Sequence, residues 1–100
     1  MLHTVNKSPF EKNSLDTCLR LIDDSSSVLL IEDAVYGALE NTSISDKIKK
    51  AQQATKFYVL GPDLKARGLD KSSLISSIEV IDYKGFVTLT VENDKIQNWL

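Results

Sequence analysis

Three kinds of side chain here could do chemistry: one thiol, one imidazole, and acids placed where short apolar runs give way to polar residues. Cys18 is the only cysteine and His3 the only histidine. A thiolate can carry sulfur as a persulfide, but it needs exposure and some positive potential. Arg20 stands two residues from Cys18, which on a helix points elsewhere. If the helix starts at Asn13, Cys18 lies past the first turn, where the dipole effect has faded. Leu15, Cys18, Leu19 and Ile22 recur at spacings of three and four, one apolar helix face. The spacing therefore reads Cys18 as a packing residue, in keeping with how often free cysteines are buried. His3 lies within an apolar run and reads as a packed or hydrogen-bonded ring rather than a ligand.

The acids are Glu32-Asp33, Asp63 and Asp82. Each follows an apolar run and precedes a helical pattern, where a carboxylate can cap free N–H groups and favour the helix dipole. A metal centre would want histidine or more closely paired acids, so neither a metal nor a cofactor is expected. Neither phosphate-binding glycine pattern, G-x-G-x-x-G or G-x-x-x-x-G-K-[ST], occurs among the four glycines. Dehydrogenase, kinase and triad-hydrolase readings have no support.

These residues are positioned by four evenly spaced apolar runs: Leu2 to Val5, Val28 to Ile31, Phe57 to Leu60 and Ile78 to Ile81. Short apolar runs bounded by polar turns suit the buried strands of a parallel sheet. Helical patterns fill the gaps. Ser8-Pro9-Phe10-Glu11 has capping-box spacing, with Asn13 or Ser14 as a second possible start. Asp33 can cap Ala34 to Glu40, with Val35, Leu39 and Tyr36 turned inward. Asp46 to Ala54 follows, with Ile48 and Ala51 facing the sheet. Gly61-Pro62-Asp63 opens a short helix that ends at Gly68. Tyr83 to Glu92 fits a helix capped by Asp82, with Tyr83, Phe86, Val87 and Thr90 on one face, although Val87 to Val91 also alternates like a strand. The strand–helix rhythm favours the helix, and Ile96 to Leu100 fits a fifth strand. The expectation is a single α/β domain over residues 1–100, a three-layer sandwich with a mostly parallel sheet of four to five strands.

Bulk properties agree. The chain has 100 residues, 42% apolar and 26% charged, with a net charge of −2 and a pI near 5.3. That is ordinary for a soluble domain and gives no basic footprint for nucleic acid. Lys47, Lys49 and Lys50 read as a solvated helix face. A lone thiol and no apolar leader or membrane-length run point to the cytoplasm.

Four stretches resemble a known family. Met1-Leu2-His3-Thr4-Val5-Asn6-Lys7-Ser8-Pro9-Phe10, Leu29-Leu30-Ile31-Glu32-Asp33-Ala34-Val35, Tyr58 to Leu69 and Ile81-Asp82-Tyr83 through Thr90 are similar to the DsrH/TusB proteins. They span nearly the whole chain in order. The resemblance implies a supporting or non-catalytic subunit of a cytoplasmic sulfurtransferase complex, a heterohexamer with two copies of each of three related subunits. It names as partners two paralogous DsrE/DsrF-like (TusD/TusC-like) subunits and a small DsrC/TusE-like sulfur carrier, without direct nucleic-acid or membrane contact. The principal sulfur-carrying cysteine would belong to a paralogue, with Cys18 as a possible supporting sulfur site. Cys18, with Asn6 to Phe10 and Gly61 to Gly68, looks closer to the sulfur-oxidising DsrH branch. The alternative is the TusB branch, which serves thiolation of a tRNA wobble uridine.

Overall fold

The computed structural model describes residues 1–100. Five strands, β1 (Leu2–Val5), β2 (Ser27–Leu30), β3 (Lys56–Leu60), β4 (Glu79–Ile81) and β5 (Ile96–Trp99), form one sheet in the order β4-β3-β2-β1-β5. Every pairing is parallel. The four apolar runs are therefore strands, and the C-terminal run is a fifth. The helices are α1 (Ser14–Leu21), α2 (Ser45–Ala51), α3 (Gly61–Ala66) and α4 (Tyr83–Glu92), with 3-10 turns at Glu32–Ala38 and Lys71–Ser73.

Strand alternation divides the apolar residues into two layers. Val5, Val28, Leu30, Phe57 and Val59 join Leu15 and Cys18 of α1, Ile48 of α2 and Leu64 of α3 in the main core. Leu2, Leu29 and Tyr58 point the other way and meet Leu89 of α4, with Phe86, Ile31 and Ile81 around them. The steps from β1 to β4 run in one direction across the sheet, so right-handed crossovers leave their helices on one face. The step from β4 to β5 runs back, which places α4 alone on the opposite face.

Local chemistry explains the boundaries. The end of α3 is a Schellman motif: Leu69 N–H donates to the Leu64 carbonyl at 3.0 Å and Gly68 N–H to the Lys65 carbonyl at 3.1 Å. That motif needs a left-handed residue, and Gly68 has φ +68°. The Asp82 carboxylate accepts from Gly85 N–H at 2.8 Å and caps α4, which settles the helix-or-strand ambiguity of this segment.

Three expectations are corrected. The Ser8-Pro9 box does not start α1, because Ser8 Oγ accepts from Phe10 N–H two residues on and closes a turn; the helix begins at Ser14. The segment after Asp33 is a tight 3-10 turn, with Ala34, Val35, Gly37 and Ala38 buried. A Cβ on Gly37 would stand 2.8 Å from Leu15 Cδ2, so this turn lies hard against α1. On α4, the inward residues are Phe86 and Leu89, while Tyr83 and Val87 are exposed. The cause is Gly85, which brings that side so close to β4 that a Cβ would lie 2.9 Å from Ile81 Cβ.

His3 and Trp99 tie β1 to the edge strand. Trp99 Nε1–H donates to His3 Nδ1 at 3.1 Å, so the ring is neutral and carries its proton on Nε2. Burial, helped by the nearby N-terminal amine, lowers the His3 pKa below its usual 6.5. An imidazole with a lowered folded pKa stabilises the fold above its unfolded value, and that stability is lost as pH falls below 6.5 toward the folded value. Stability to urea should therefore fall between pH 7.5 and pH 5.5. Trp99→Phe should cost about 1 kcal/mol at pH 7.5 and flatten the slope; an unchanged slope would contradict the role given to this bond.

Candidate functional site

Cys18 sits in the middle of α1, an eight-residue helix with Asp16 in its first turn and Arg20 in its last. Its side chain is completely buried among the main-core residues. Burial pushes the thiol pKa up to about 12, so at neutral pH the group is protonated and a poor nucleophile. The spacing of Leu15, Cys18, Leu19 and Ile22 thus describes the real inner face of α1. Arg20 pairs loosely with Asp16 at 4.0 Å, and Asp16 is held more closely by Lys47 of α2 at 2.7 Å. The Lys47 hydrogen bond lowers the Asp16 pKa. No cation is turned toward the sulfur.

The carboxyl ends of the strands gather the acids, and these do different work from what helix capping alone suggests. Only Asp82 caps the helix it precedes. Asp63 reaches across to the end of β2, where its Oδ2 accepts from Glu32 N–H at 2.6 Å. Glu32 is left-handed, with φ +50°, a conformation that costs a non-glycine residue on the order of 1 kcal/mol. Asp33 is ion-paired with Arg67 at 2.8 Å. These contacts join the 3-10 turn after β2 to α3, a link that sequence spacing alone does not reveal. At the carboxyl end of β1, Asn6 Oδ1 is buried without a hydrogen-bond partner.

Outside β3 and β4 lies a cleft of about 840 Å³. Here the chain leaves β3 for one face of the sheet through α3 and leaves β4 for the other through α4. In open parallel sheets, such a divergence is where ligands bind. Pro62, Lys65, Leu69, Lys71, Val80 and Asp82 are among its lining residues. Its lining has no cysteine, histidine or serine. Two of its carboxylates are engaged by backbone amides, Asp82 with Gly85 and Asp70 with Ser72. The cleft can hold a group but has no thiol, imidazole or hydroxyl of its own, its polar side chains being Lys65, Lys71, Asp70 and Asp82. Cys18 is not among the residues that line it. No three or more His, Cys, Asp or Glu side chains come together as a metal site.

The family described as DsrH like protein matches residues 7–96. The chain belongs to the DsrH/TusB family. Protein TusB of Pectobacterium parmentieri is 37% identical over 99 residues, 99% of this chain and 100% of that one. Protein TusB of Escherichia coli is 34% identical over the same shares. The crystal structure of the ychN protein from E. coli superposes with a TM-score of 0.80, covering 97% of each chain at 21% identity. That last likeness shows the fold alone. The family membership bears out the resemblance read from the four stretches. No helix of the DsrH/TusB chain is long and apolar enough to cross a membrane.

Two outcomes follow from this geometry. At pH 8, alkylation of Cys18 in the native chain should proceed only as fast as the protein opens and become rapid in denaturant; fast labelling without denaturant would contradict its burial. Asp63→Ala should cost about 1–2 kcal/mol by leaving Glu32 N–H without its carboxylate, as read by denaturant titration, whereas Glu32→Gly should be neutral or stabilising.

Proposed function

We propose that this chain is a supporting, non-catalytic subunit of a cytoplasmic sulfur-relay complex of the TusB type, serving thiolation of a tRNA wobble uridine. The observation that carries this reading is full-length similarity to TusB proteins at 34–37% identity. The buried, protonated thiol supports it from the chemical side. A subunit whose only cysteine is inert at neutral pH contributes shape and contacts, not transfer. Its partners in this reading are two paralogous subunits, one of which supplies the sulfur-carrying cysteine, and a small carrier protein that accepts the sulfur. The cleft beyond β3 and β4 would then serve as a contact surface for a neighbour and not as a reaction centre.

The sulfur-oxidation branch is the second reading, and the placement of Cys18 in α1 favours it. Both branches ask the same of this fold. Deleting the gene separates them: loss of 2-thiouridine in tRNA supports the first, and loss of sulfur oxidation with intact tRNA supports the second.

The role of Cys18 is tested in the assembled complex. The chain should co-purify with its paralogues, and mass spectrometry should find persulfide on a paralogue's cysteine. Cys18→Ser should leave both assembly and sulfur transfer intact. Persulfide on Cys18 in the native complex, or transfer lost in Cys18→Ser with assembly preserved, would make Cys18 a sulfur site and overturn the non-catalytic reading.

A further inference from the structure

Strand β5 lies at the edge of the sheet with β1 as its only neighbour, and little of it is buried. Ile96, Gln97 and Asn98 are exposed and Trp99 is half-buried. No residue of β5 belongs to either buried core, and Trp99 alone packs against the main one. The other ties are polar. Leu2 N–H donates to the Lys95 carbonyl at 3.0 Å, Thr4 Oγ1 donates to Asn98 Oδ1, and Ser14 Oγ donates to the Leu100 carbonyl at 2.8 Å. An element with so few buried apolar contacts belongs to the low-stability end of its domain. Taking β5 away leaves a four-stranded sheet with both cores in place.

The inward anchor of β5 is the Trp99–His3 pair, with ring centroids 6.2 Å apart. An indole nitrogen only donates, and it is satisfied here because His3 Nδ1 carries a lone pair. A second proton, taken from solvent, enters the imidazole at that same Nδ1. Two N–H groups then face each other across 3.1 Å, the bond breaks, and the indole N–H must turn to water. Strands β1, β2 and β5 have no charged side chain to offset this. Helix α1, over the same face, carries Asp16 and Arg20, and Asp16 is already engaged by Lys47 and Arg20. Burial opposes an imidazolium in the closed strand, the Met1 amine adds to that, and Asp23 just beyond α1 favours it. We infer that β5 is a detachable edge strand, latched by the Trp99–His3 bond and released when His3 takes a second proton on Nδ1. Release bares the outer edge of β1 as an unpaired strand edge. Helix α1, pressed by the 3-10 turn after β2, stays closed over Cys18. The inference does not rest on the proposed function.

Amide exchange of the full chain, read residue by residue by NMR and corrected for the intrinsic effect of pH, tests it. At pH 7.5 the β5 amides should exchange faster than those of β2 and β3 and be insensitive to low urea, the mark of a local opening. At pH 5.5 the opening equilibrium of β5 should rise about fivefold or more, the effect of losing one hydrogen bond. Acrylamide should quench Trp99, the only tryptophan, more readily at the lower pH. In His3→Asn the side-chain carbonyl replaces Nδ1 as acceptor and does not titrate, so the rise with acid should vanish. His3→Gln, which does not titrate either, is the second variant should the first fail to fold. Exchange of β5 that follows β2 and β3 in urea, no rise at pH 5.5, or an equal rise in the folded variant would overturn the inference.

Discussion

A parallel sheet must be covered on both faces, and in this chain one crossover does half of that work. Strands β1 to β4 step in a single direction, so their connections cover one face with three helices and a 3-10 turn. The opposite face carries Leu2, Leu29 and Tyr58 and is closed only because the chain returns from β4 to β5 through α4. That reversal sets up most of what is distinctive in the molecule. It opens the cleft where α3 and α4 diverge, and it seats β5 against β1, locked by the Trp99–His3 bond. It also leaves a helix whose outer side has nothing to pack against within the chain.

The same division explains the chemistry. Cys18 lies on the well-covered side, where α1 and the 3-10 turn after β2 press together over the sheet. Its thiol is sealed by packing, and no cation or histidine approaches to offset the desolvation that raises its pKa. The polar contacts at the carboxyl ends hold elements together: Asp63 to Glu32, Arg67 to Asp33, Asp82 to Gly85. The cleft has no thiol beside it, and the one thiol has no access to solvent, an arrangement in keeping with the supporting role proposed above.

Much of this was legible in the sequence because it is local. Apolar runs at even spacing gave the four core strands, Pro62 and Gly68 bracketed α3, and Asp82 marked the start of α4. The inward lean of Cys18 followed from the spacing of Leu15, Leu19 and Ile22. Features set by tertiary approach were not legible. Gly85 against Ile81 fixes which side of α4 meets the sheet, and Gly37 against Leu15 accompanies a 3-10 turn where an α-helix was expected. The reach of Asp63 to Glu32 depends on strand adjacency. The outer side of α4 did have a signal, Tyr83, Val87 and Val91 at spacings of four, but its exposure depends on how α4 is rotated.

The only thiol is a buried part of the core, and the proposed supporting role, contacts and not sulfur chemistry, depends on its staying there. Native-state hydrogen exchange tests that claim directly. The amides of Cys18 to Ile22 in α1 should be as protected as those of β1 and β2, exchanging only when the whole domain unfolds. If α1 instead opens locally and exchanges far faster than the sheet beneath it, Cys18 is accessible in the native ensemble and the account is contradicted.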